Sequence, residues 1–218
     1  IAAEDGHTAA IQLLAELRAD LNKPRNDGKP PLHNAAERGN PDTARLLLQL
    51  RANVNAQDDA GRTACWSAAF RGHDRVVRAL ISARASFTAE KLGTTVVWAA
   101  AFQAHDKVIV TLSRAKASID ECSKDLRTPV AVAAQENHEV VVRLLAHLGA
   151  RLLRPDGQGF WRYYQDTDTR QRMNDFWRRV IAAGGDEPTE ASRRLRCRMM
   201  IQAKMHDPRD GGPHEEPL

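Results

Sequence analysis

The sequence predicts an all-α repeat solenoid, because three separate markers recur on one beat. Ala-Ala pairs fall at 2–3, 35–36, 68–69, 100–101 and 133–134, in steps of 33, 33, 32 and 33. A second series, His7, Asn40, His73, His105 and His138, keeps the same interval. A third runs "RADLN" from Arg18, "RANVN" from Arg51, "RASFT" from Arg84, "KASID" from Lys116 and "GARLL" from Gly149. Self-similarity at a period of roughly 20–50 residues marks stacked supersecondary units.

Each element of a unit follows from its residues. From Thr63 to Arg71 successive residues turn by about 100°. Cys65, Ala68 and Ala69 then share one side, which predicts a short inner helix, and small alanines let neighbouring helices approach to roughly 8–10 Å. Asp74 to Ala83 predicts a second, outer helix. It begins with an acid at the positive helix end and carries Val76, Val77, Leu80 and Ile81 at helical spacing. One such pair cannot bury its own apolar face, so every unit depends on its neighbours. A unit beginning at Ile1, inside an inner helix, would leave that face open, so upstream repeats or another cap are expected.

The segments "DGKPPLHNAAERGNPDTARLLLQLRANVNAQ" (27–57) and "RTPVAVAAQENHEVVVRLLAHLGA" (127–150) resemble the ankyrin repeat family. They carry its turn, its T-P-L-H-like helix start, its Ala-Ala pair, its Gly-His position and its apolar outer helix. The resemblance covers residues 1 to about 155, as five repeats with the first incomplete. It implies antiparallel helix pairs with β-hairpin fingers, stacked into a curved solenoid whose concave face binds protein partners.

The chain departs from that pattern where an outer helix normally ends in a left-handed glycine. Arg18, Arg51, Arg84 and Lys116 stand there instead, with glycine only at Gly149. A non-glycine residue in that conformation costs roughly 1–2 kcal/mol, while a cation at a helix C-terminus returns about 0.3–1 kcal/mol. Stacked units would line the four cations along one edge. Helix-end electrostatics is one reading; a basic docking edge for an acidic protein surface or lipid headgroups is the other.

"CWSAAFRGHDRVV" (65–77) and "VWAAAFQAHDKVI" (97–109) place Trp and Phe either side of an Ala-Ala pair. The angular count puts Trp66 about 100° from the centre of the core direction and Phe70 about 140° away. Trp98 and Phe102 repeat the arrangement. Trp stands at a boundary and Phe points outward, into the concave face. At the Phe position the flanking units carry Glu37 and Gln135, so the apolar patch is confined to the two middle repeats and rimmed by polar groups. Trp66, Phe70, Arg71, Trp98, Phe102 and Gln103 are the candidate partner-binding residues, with packing of the tryptophans on the adjacent finger as the alternative.

Beyond Pro155 the period fades. "DGQGFWRYY" (156–164) and "NDFWRRVIAAGG" (174–185) suggest a divergent C-terminal cap over 156–187. In 188–218 an extra basic helix precedes a polar tail with almost nothing apolar. Ala191, Leu195 and Met199 recur at four-residue steps on that helix, beside Arg193, Arg194, Arg196 and Arg198. It is suited to docking on the solenoid, on a partner's groove or on a membrane surface through Arg193, Arg194, Leu195, Arg196 and Met199.

No Gly-rich phosphate loop, HExxH or GxSxG motif occurs, and no catalytic residue, metal ligand or cofactor is assigned. Cys65, Cys122 and Cys197 are scattered, which argues against a disulfide framework or a zinc site and fits a reducing compartment. A net charge of +4 is too small to imply nucleic acid. The expectation is a non-catalytic protein–protein interaction module or scaffold, within a larger complex, with membrane-surface contact as a variant. The alternative is a regulatory or substrate-recruiting part of an enzyme whose catalytic domain lies outside this chain.

Overall fold

Two rows of short helices, one inner and one outer, make up the described part of the chain. The computed structural model describes residues 2–150, apart from 90–92, 126 and 137. The sequence expectations for 156–187 and 188–218, including Arg193, Arg194, Leu195, Arg196 and Met199, lie outside these residues.

The outer row holds α1 (Thr8–Glu16), α3 (Pro41–Gln49), α5 (Asp74–Ser82), α7 (Asp106–Arg114) and α9 (Glu139–His147). The inner row holds α2 (Pro31–Arg38), α4 (Ala64–Phe70), α6 (Val96–Phe102) and α8 (Pro129–Gln135). Each inner helix packs on the next inner helix and on the outer helix that follows it in sequence, and the outer helices pack successively on one another. This is the stacked-pair arrangement that the period predicted.

Local chemistry sets the helix limits. Thr63, Thr95 and Thr128 cap α4, α6 and α8, each hydroxyl accepting from the backbone N–H three residues on, at 3.1–3.2 Å. Pro31, Pro41 and Pro129 occupy the first turn of their helices, where the missing N–H costs nothing. The paired alanines 35–36, 68–69, 100–101 and 133–134 are fully buried between the rows, as are Leu47, Leu80, Leu112 and Leu145 from the outer helices. In α1 the equivalent Leu14 is 43% exposed, beside exposed Leu13 and Leu17.

The outer helices end as the third marker requires. Arg18, Arg51, Arg84 and Lys116 have φ of 57°, 63°, 61° and 61°, so the left-handed turn is kept without glycine. The next N–H reaches back to the carbonyl five residues earlier, as Ala52 to Leu47 and Ala85 to Leu80 at 2.9–3.0 Å, and these alanines are buried. The inner helices α2 and α4 end in the same turn and demand glycine more strictly, whereas after α6 the position holds Ala104 at φ 59°. A Cβ on Gly39 or Gly72 would lie 2.5–2.6 Å from the ring of His73 or His105. The outer turns face solvent, and there a side chain costs only its conformation.

The expected β-hairpin fingers are much reduced. Among the described residues, β pairing is limited to Thr88–Ala89 against Thr94–Thr95 (β1 and β2, antiparallel) and one bridge from Gln57 to Thr63. Asparagine side chains link the other connections instead. The Asn53 N–H donates to Asn22 Oδ1 at 2.7 Å, and the Ser86 N–H donates to Asn55 Oδ1 at 2.8 Å. Side-chain oxygens thus take backbone donors that a ladder would use.

Candidate partner-binding groove

The groove is built from residues one period apart: Glu4 in the turn that precedes α1, then Glu37, Phe70, Phe102 and Gln135 in the last turns of the inner helices. The following unit fixes the backbone of the first four. Asn40 Nδ2 donates to the Glu4 carbonyl, and the Nε2 atoms of His73, His105 and His138 donate to those of Glu37, Phe70 and Phe102, all at 2.8–3.0 Å. The second marker series is therefore a set of clamps on the groove row.

In the middle of the row four rings form one continuous stack. Trp66 lies 5.0 Å from Phe70, Phe70 lies 6.1 Å from Phe102, and Trp98 lies 5.3 Å from Phe102, with interplanar angles of 12–16°. These spacings suit aromatic pairs. Phe70 and Phe102 are half-buried, and Arg71 and Gln103 beside them are exposed.

The tryptophans require a correction. Trp66 and Trp98 are only 7% and 9% exposed, because the next unit's connection closes over each. Trp66 Nε1 donates to Thr94 Oγ1 at 2.9 Å. At Trp98 the corresponding residue is Arg127, whose guanidinium sits 5.8 Å from the ring centroid. Arg127 has no side-chain acceptor, so Trp98 Nε1 is buried without a hydrogen-bond partner. His33 occupies the same register and donates from Nε2 to the Arg62 carbonyl at 2.7 Å. The two tryptophans back the phenylalanines and do not face outward. An angular count along one helix cannot register a lid supplied by the next unit.

Toward the N-terminus the same row becomes polar. Arg38 Nε donates to Glu4 at 3.1 Å, and Arg25 Nη1 donates to the same carboxylate at 3.0 Å. Glu37 accepts from Lys29 Nζ at 2.7 Å and from Arg71 Nη2 at 3.0 Å. These groups, with Asp27 and Asn34, line a cavity of about 460 Å³. The Arg38 guanidinium holds the Glu4 carboxyl below the usual range, and Lys29 first, then Arg71, brings Glu37 down to about 2.

Three groups therefore make stability depend on pH: His33, Glu37 and the more exposed Glu4. Burial lowers the His33 pKa below its ordinary 6.5, so its contribution is complete above 6.5 and is lost as pH falls below that. The Glu37 contribution is present above 4.5 and is lost as pH falls toward 2, about 1–2 kcal/mol after solvent screening. Urea unfolding of the wild type should weaken in both windows. Glu37→Gln should shrink the acid one to the share left by Glu4 and leave the His33 window unchanged.

The cationic edge is present in outline. Arg18, Arg51, Arg84 and Lys116 are all exposed, one per unit, and none is in an ion pair among the described residues. Cys65 is fully buried, which pushes its thiol up to about 12 and makes it a core residue rather than a nucleophile. Among the described residues no group of three or more His, Cys, Asp or Glu could hold a metal ion, and no helix is long and apolar enough to cross a membrane.

Comparison with known families agrees with the geometry. A family model described as ankyrin repeats (3 copies) matches residues 1–91 and again 68–156. Comparison with curated proteins finds no match.

Proposed function

This chain belongs to the ankyrin repeat family, and from that premise we propose that it is a non-catalytic module whose protein partner docks on the inner-helix groove. Phe70 and Phe102 are the anchors. The observation that carries this reading is a four-ring stack with its ends buried by the chain itself and its middle left half-open. Each ring keeps part of its roughly 150–250 Å² open to a partner, inside a polar rim of Glu37, Arg71, Gln103 and Gln135.

The module acts as a scaffold bridging components of a larger assembly. A second contact is assigned to the basic segment 188–218. The Arg18, Arg51, Arg84 and Lys116 edge serves helix ends first and acidic surfaces second, whether of a protein or of a membrane.

Crosslinking mass spectrometry in native extract identifies the partner. Phe70→Ala/Phe102→Ala should then weaken its capture at least 30-fold, the scale of an anchor residue. Far-UV circular dichroism should be unchanged. Capture at wild-type strength by the folded double variant would exclude the groove.

A further inference from the structure

We infer that the polar cavity at the N-terminal side of the groove is a carboxylate pocket, reading an Asp or Glu side chain of the peptide segment that Phe70 and Phe102 anchor. The inference rests on the groove reading above and adds the chemistry of its occupant.

Three observations converge. The first is which charges are exposed. The Glu4 and Glu37 side chains are withdrawn, at 22% and 25% exposure, with Lys29 at 19%, whereas those of Arg38, Arg71 and Arg25 stand at 62%, 55% and 51% and Asp27 at 48%. A partner approaching the cavity therefore meets guanidinium edges, each with N–H donors left over from its internal pair.

The second is Asn34. This residue lines the cavity, and its carboxamide, unbonded among the described residues, keeps its polar atoms open to the cavity's solvent. Its NH₂ would donate to an anionic oxygen beside Arg38 and Arg71. In the equivalent register the later units carry Ser67, Ala99 and Val132, so the amide belongs to this unit alone.

The third is the local balance of charge. Four cations and three carboxylates line the cavity. One further negative charge completes that balance, whereas a phosphate dianion would exceed it and face the ionised Glu4 and Glu37. A single carboxylate fits; a phosphorylated side chain does not.

Geometry adds a spacing. Neighbouring helices pack roughly 8–10 Å apart, and an extended chain advances about 3.3 Å per residue. An acid in the cavity and a bulky apolar side chain on the Phe pair, one helix spacing away, would thus be about two or three residues apart.

The test is selection from a random dodecapeptide library displayed on phage, using the full chain as bait. The expected result is enrichment of peptides pairing a bulky apolar residue with Asp or Glu at that spacing. Replacing the acid by its amide in a selected peptide should weaken binding about tenfold, the scale of one charge-assisted hydrogen bond. Arg38→Gln/Arg71→Gln, both at exposed positions, should abolish the acidic preference while apolar enrichment persists. Asn34→Ser should weaken acidic peptides alone.

Apolar enrichment without any acidic preference would overturn the pocket and leave the groove reading standing. An acidic preference surviving in the double-Gln variant would overturn it equally. Tighter binding of a phosphoserine peptide than of its glutamate counterpart would overturn the carboxylate assignment. Failure to enrich any peptide would overturn both readings.

Discussion

Leu80→Ala is expected to remove about 3–4 kcal/mol of stability, within the range for truncating a fully enclosed leucine. Leu80 has no exposed surface, and its helix α5 packs on α4 and on both neighbouring outer helices, α3 and α7. The void would therefore open at the meeting point of three units. In a stacked array stability is the sum of unit terms and interface terms. A lesion in the middle weakens two interfaces at once, and the single melt should broaden or divide. Leu17→Ala on α1 is the contrast: that residue is 70% exposed, and its loss should change stability by no more than about 0.5 kcal/mol. Urea unfolding followed by circular dichroism measures both. Equal effects at the two sites would contradict the packing described above.

The second large effect belongs to Asp58. Its side chain is nearly inaccessible and accepts two hydrogen bonds from one residue, from the Arg62 backbone N–H and Nε at 2.8 Å each, with Nη2 at 2.7 Å completing the ion pair. The Arg62 carbonyl in turn holds His33 of the preceding unit. Asp58→Ala strips a partly buried guanidinium of its counter-charge and leaves a backbone donor unpaired. Breaking a buried pair from one side costs about 3–5 kcal/mol; Arg62 retains 33% side-chain exposure, so about 2–3 kcal/mol is expected here. The exposed pair of Arg45 and Asp42 has the same chemistry without the burial. Asp42→Ala should change stability by no more than about 0.5 kcal/mol. Parallel denaturation of the two variants decides whether burial or charge sets the scale.

The helices and their limits were legible because they repeat. Each Ala-Ala pair states where two rows must touch, and Arg51 or Arg84 marks a left-handed turn because the rest of its motif survives without glycine. The phenylalanines were legible from one helix's angular count. The burial of Trp66 and Trp98 stood only as the alternative of packing on the adjacent finger, since Thr94 and Arg127 reach them from 28 and 29 positions further on. The ionic half of the groove escaped for a similar reason. Arg38 meets Glu4, and Arg71 meets Glu37, 34 residues apart. Reading the sequence against itself at one period plus one residue would have paired both. Nothing in the sequence marks Asn34, whose interest lies in a missing partner. The finger ladders were overestimated because the side chains of Asn22 and Asn55 compete for the donors that strands would use.

The imidazole clamps give the array a direction. Each unit's groove residue is secured by a group from the unit after it, so the surface at any level is finished by its downstream neighbour. Phe102 owes its seat to His138, and Phe70 owes its seat to His105. A chain emerging from the ribosome would therefore complete its recognition surface one level behind its folding, and erosion from the C-terminal side would reach the aromatic anchors before erosion from the other side did.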